Sequence, residues 1–275
     1  MKKIRKKIIV NADDFAETEA ITTAILACHR AGSVTSTSVI VTTEYWQRGK
    51  DLIDENPGLD YGLHLNLTSG QPCSDEERLA PLLEPDGTYP LPFTLLGRLF
   101  KACPHRDALE AELFAQAQRL ADTGVQITHL DFNDHLFFVG ELWEICKRVQ
   151  HAFGIPNIRR PYQRTSVHPP LSSSSLKRAF LNSWFRGREL DGTVEVNAFD
   201  CIGTEKLEET YPAILEGCGE LTELIVHPAL ADPVFADNAY HRCRLYEYDY
   251  LSTPKLAELA GRHDIELTTY RDELI

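Results

Sequence analysis

Ile8-Ile9-Val10-Asn11-Ala12-Asp13-Asp14-Phe15 is the stretch that decides the fold class. A short β-branched run that turns at once into an amide and two carboxylates reads as a buried strand, Lys7–Asn11, with polar chemistry at its carboxyl end. Glu19–Ala31 follows as a helix, with Ile21, Ala24, Ile25 and Cys28 on one face and Gly32 placed to end it. The same alternation continues. Strands are expected at Val34–Val41, Tyr61–Leu67, Gln126–Asp131, Ile155–Arg159, Val194–Phe199, Thr222–Val226 and Ile265–Thr269. Helices are expected at Trp46–Glu55, Arg106–Asp122, Glu141–Ala152, Leu207–Glu216 and Pro254–His263. Seven or eight βα units with a mainly parallel sheet give an α/β barrel, TIM-like, in a single domain over residues 1–275. Two segments break the rhythm. Gln71–Thr94 is rich in proline and reads as a functional loop or lid, and Pro161–Pro170 with Ser172–Ser175 is the second irregular stretch.

Composition narrows the function classes. With 43% hydrophobic and 25% charged residues the chain is ordinary globular material, which excludes disordered, collagen-like and coiled-coil readings. The formal charge of −13 repels polyphosphate and anionic lipid, so no nucleic-acid or membrane partner is expected. The basic residues at 2–7 run straight into polar Asn11 and Asp13 with no signal-peptide apolar stretch, which points to a cytoplasmic protein. Seven cysteines, widely spaced and without a C-x-x-C pair, read as reduced thiols of an intracellular chain, and nothing marks one as catalytic.

Chemistry in such a fold is built where strands end. The first strand ends in Asp13-Asp14, the third carries Gly62-Leu63-His64, another ends in His129-Leu130-Asp131-Phe132-Asn133-Asp134-His135, and a late one ends in His227-Pro228. Each has a plain structural explanation: Asp13-Asp14 as helix caps, His64 as a hydrogen-bonded core histidine, His129 and Asp131 as a mutual pair. Their coincidence at four strand ends points instead to a divalent cation, since two adjacent carboxylates in an apolar setting need compensation. Carboxylate and imidazole ligands suit zinc or a similar ion. Nucleophile-elbow, P-loop, dinucleotide and H-E-x-x-H motifs are all absent from the sequence.

At these residues the sequence resembles the YdjC-like carbohydrate deacetylases, which include chitooligosaccharide deacetylases. Their opening N-A-D-D-F-G is matched by Asn11–Phe15, with Ala16 in place of the glycine. Their G-x-H-x-x-L is matched by Gly62–Leu67 and their late H-P pair by His227-Pro228; Arg244, Leu251 and Tyr270-Arg271-Asp272 follow the family's C-terminal pattern. The resemblance implies a variant (β/α) barrel, one divalent metal ion (magnesium or zinc) and removal of acetyl from an N-acetylated sugar or oligosaccharide. It implies Asp14 and His64 as metal ligands, Asp13 as general base, and His227 as acid or oxyanion partner. Family members usually read H-x-D-x-H-x-H at the fourth motif; here the ligand position is Asn133, and His135 two residues on is the other candidate third ligand. The expected function is therefore metal-dependent deacetylation. The alternatives are a catalytically degenerate member that binds a glycan or regulates a partner, and a phosphoester hydrolase with Arg159 and Arg160 as its clamps. Assembly as a homodimer is left open.

Overall fold

The computed structural model describes residues 5–101, 106–159, 192–195, 204–233 and 239–274. The irregular stretch from Pro161 to Ser175, Arg160 and the tail of the expected strand at residues 196–199 lie outside them. The chain divides into two compact units. The first draws on the chain up to Phe15, on Glu19–Thr37 and on the chain from Arg160 onward; the second on Ala16–Thr18 and Ser38–Arg159. One strand, β2 (Ser36–Val39), is split between them.

In the first unit β1 (Lys6–Phe15) pairs in parallel with β7 (Leu221–Val226) and with β8 (Ile265–Thr268). β6 (Gly192–Glu195) pairs in parallel with β7. Ile8, Ile9 and Val10 are fully buried, as a strand covered on both faces requires. Helix α1 (Glu19–Arg30) turns its expected face inward: Ile21, Ala24, Ile25 and Cys28 are all fully buried.

In the second unit β3 (Asp60–Leu65), β4 (Ile127–Phe132) and β5 (Asn157–Ile158) form a parallel ladder in the order β3-β4-β5. Around it lie α2 (Trp46–Glu55), α3 (Pro92–Lys101), α4 (Arg106–Ala121) and α5 (Gly140–Phe153). Leu109, Leu113 and Leu120 of α4 and Leu142, Ile145 and Val149 of α5 are buried, which confirms the helical spacing read from the sequence. Gly154 ends α5 in the left-handed conformation, φ 63°, a cap that glycine adopts at little cost. The proline-rich stretch after β3 is anchored rather than loose. The buried Glu112 carboxylate of α4 accepts the backbone N–H of Cys73 (3.0 Å) and of Ser74 (2.8 Å), and Tyr89 N donates to Gly70 O.

Among its described residues the first unit also holds α6 (Thr204–Glu216), α7 (Ala239–Leu251), α8 (Lys255–Arg262) and α9 (Tyr270–Leu274). Among the described residues no helix is long and apolar enough to cross a membrane.

Candidate metal centre

The first unit supplies carboxylates. In a regular strand Asp13 and Asp14 would point to opposite faces. Asp14 instead takes φ 73°, a left-handed kink inside β1, and both side chains end up buried. Ala16 follows at φ 67°, a left-handed conformation that glycine, the residue of the resembling family's motif, adopts more freely than alanine. Parallel register sets Ala12 beside Val226, so the next residues, Asp13 and His227, come level. His227 Nε2 lies 3.8 Å from Asp13 Oδ2, and Asn11 Nδ2 donates to Asp13 Oδ1 at 2.8 Å. Arg244 of α7 donates to Asp14 Oδ2, and Glu247, one turn along the same helix, accepts the backbone N–H of His227. Burial pulls the Arg244 guanidinium down to about 10, against the opposing pull of the Glu247 and Asp13 charges. Part of the compensation expected from a cation is thus supplied by arginine.

The second unit supplies imidazole. The β3–β4 register pairs His64 with Asp131, and the two meet: His64 Nδ1 lies 2.5 Å from Asp131 Oδ1, both side chains buried. Asp131 Oδ2 accepts from Ser38 Oγ at 2.7 Å and from Arg159 Nη1 at 2.8 Å. His129 Nε2 lies 3.0 Å from Ser38 Oγ and its Nδ1 2.9 Å from Thr128 Oγ1. The bare backbone of Gly62 makes room for the His129 ring, since a Cβ there would come within 2.2 Å of Nε2. Arg159 is buried against Asp131, so it serves the interior of this unit rather than a phosphate.

Asn133 begins a 3₁₀ turn, Asn133–Phe138. Its Nδ2 donates to Asn66 Oδ1 and Thr68 Oγ1, both at 3.2 Å, while its Oδ1 accepts the Asp134 N–H at 2.9 Å. Both ends of that amide therefore have protein partners. The side chain of His135 lies outside the described residues. Within the first unit the buried carboxylates Asp13 and Asp14, with His227 level with Asp13, are a donor chemistry that fits a divalent cation; within the second, the buried His64–Asp131 pair is another. Among the described cysteines, burial pushes the Cys73 thiol up to about 11 and that of Cys28 higher still, away from the reactive thiolate.

Sequence reasoning did not assign Ser38 or Glu247, and had Arg244 only as part of a C-terminal pattern. The one readable signal was Arg244-x-x-Glu247, a spacing that puts both on one helix face. The description that matches the chain, over residues 7–261, is that of a YdjC-like protein. The chain belongs to the YdjC-like family. Its relatives include a carbohydrate deacetylase of Brevibacillus brevis, 27% identical over 267 residues, covering 97% of this chain and 99% of that one. A carbohydrate deacetylase of Thermoanaerobacter pseudethanolicus is 25% identical over 272 residues, with 96% and 98% covered. Among solved structures, a candidate cellobiose-phosphate cleavage protein of Enterococcus faecalis superposes with a TM-score of 0.78 at 23% identity, covering 98% of this YdjC-like chain and 100% of its own. At that identity the likeness shows the fold.

Proposed function

We propose that this YdjC-like chain is a metal-dependent hydrolase that removes acetyl from an N-acetylated sugar or oligosaccharide, on a variant (β/α) barrel and in the cytoplasm. The observation that carries the reading is that each unit buries ionisable groups at strand carboxyl ends: Asp13, Asp14 and His227 in the first, His64 and Asp131 in the second. The deacetylase names of relatives that align along nearly the whole chain support it.

In this proposal Asp14 and His64 hold the ion, with Asn133 or His135 as third ligand; Asp13, His64 and Asp131 are the competing imidazole–carboxylate set. A bound magnesium or zinc ion supplies Lewis acidity at the amide carbonyl and an acidified water. The chain's own residues do the rest. Asp13, its Oδ1 held by Asn11, accepts the proton of the attacking water. His227, poised beside Asp13, gives a proton to the departing amine. Arg244 keeps Asp14 ionised and in place.

The second reading, a glycan-binding or regulatory protein without catalysis, draws on the engaged amide of Asn133. Acetate release from a panel of N-acetylated mono- and oligosaccharides separates the two. The hydrolase releases acetate, stops with a chelator and recovers with metal. Asp13→Asn lowers turnover by roughly 10²–10⁴-fold, the usual worth of a general base, while metal affinity stays. Silence of the metal-replete protein across the panel refutes the hydrolase.

A further inference from the structure

We infer that Asp131 is a positioning residue rather than a metal ligand: it sets the tautomer of His64, and Ser38 and Arg159 hold it for that task. The inference rests on the metal-site reading in one respect, that His64 is a ligand.

The geometry divides the carboxylate. Oδ1 faces His64 Nδ1 at 2.5 Å, and Oδ2 takes the Ser38 hydroxyl at 2.7 Å and the Arg159 guanidinium at 2.8 Å. All four side chains are buried, Asp131 completely. An ionised carboxylate accepts and cannot donate, so the proton between it and His64 sits on Nδ1. In a neutral ring that leaves the lone pair on Nε2, the nitrogen a metal binds. Carboxylates in this relation to a histidine fix ring orientation and raise its basicity, and their loss typically costs 10–100-fold in metal affinity. Arg159 supplies the opposite charge that keeps Asp131 ionised in the interior. Ser38 ties in His129, whose ring seats on Gly62, so the carboxylate is located from three strands. Three of the roughly four acceptor positions of the carboxylate are thus taken by protein donors.

The test reads the tautomer first, on metal-free protein. Long-range ¹H–¹⁵N spectra, with His64 identified by comparison with His64→Gln, are expected to show a proton on Nδ1 and a pyridine-like Nε2. In Asp131→Ala the Nε2–H form grows, and zinc affinity falls 10–100-fold. Asp131→Asn keeps an oxygen for the Nδ1 proton and loses less than tenfold; should the alanine variant fail to fold, this one and the wild-type spectrum carry the decision. Two results overturn the inference: an Nε2–H His64 in the wild type, or a loss of zinc binding in Asp131→Asn equal to that in His64→Gln, which is what a ligand would give. A wild type that binds no zinc overturns the metal reading instead, and the spectrum of that same sample still decides whether Asp131 sets the tautomer.

Discussion

Gly62→Ala is the substitution whose outcome the structure constrains most tightly. Adding a methyl to a strand glycine ordinarily stabilises by roughly 0.5–1 kcal/mol, because the unfolded chain loses freedom. At Gly62 the new carbon would stand 2.2 Å from Nε2, 2.3 Å from Cε1 and 2.5 Å from Cδ2 of His129, against 3.4 Å or more for ordinary contact. The ring must retreat by about 1 Å, the difference needed to restore van der Waals separation. His129 is fully buried and bonded at both nitrogens, to Ser38 at 3.0 Å and Thr128 at 2.9 Å. Overpacking costs about 1–3 kcal/mol, and stranding a buried polar group another 1–3 kcal/mol. The sum, near 4 kcal/mol, outweighs the entropic gain several-fold. For a chain of this length about 2 °C of melting temperature goes with each kcal/mol, so a drop on the order of 8 °C is expected. Thermal melts and urea titration measure it. Truncating the ring in the same background, His129→Ala with Gly62→Ala, should recover part of the loss, a coupling that only direct contact produces. A Gly62→Ala protein as stable as its parent would refute the argument.

Two further outcomes follow from the second unit. Burial pushes the Glu17 carboxyl from its ordinary 4.5 up to about 7, with the His64 charge opposing and Asp134 adding to the rise. The native state therefore binds more protons than the unfolded chain between those values, and stability falls as pH rises from 4.5 to 7, by up to about 3 kcal/mol. Glu17→Gln should flatten that slope in pH-dependent melts; an unchanged slope assigns it to another group. At Asn133, alanine should leave zinc affinity within about twofold, because the amide already serves Asn66, Thr68 and Asp134, whereas histidine should raise it about tenfold or more by restoring a nitrogen ligand. A tenfold loss in Asn133→Ala would make the amide a ligand after all.

β7 and β8 were legible because each is a short apolar or β-branched run bounded by polar residues, and their expected bounds fall within one residue of those observed. The elements that escaped did so for physical reasons. Helix α7 buries His241, Arg244 and Glu247, so its inward face carries charge and shows no apolar period. The expected first strand stopped at Asn11, yet β1 runs on to Phe15, since buried partners accommodate carboxylates that hydropathy alone would send outside. The site was legible as a set of residue types. Its pairing was not: Asp131 meets His64, Ser38 and Arg159 from distant parts of the chain, and only strand register brings them together.

The ladder order has a consequence for how the polypeptide is made. Ser38–Arg159 forms the bulk of the second unit and leaves the ribosome as one continuous stretch. β1, by contrast, emerges first and pairs with β7 and β8, whose residues start at Leu221 and Ile265. At about 5–20 residues per second, the side of β1 that pairs with β7 and β8 waits roughly 10–50 s for those strands to be synthesised. Its β-branched run keeps that edge open to any passing strand during the interval, so the carboxylates at its end are sheltered only once the C-terminal strands arrive.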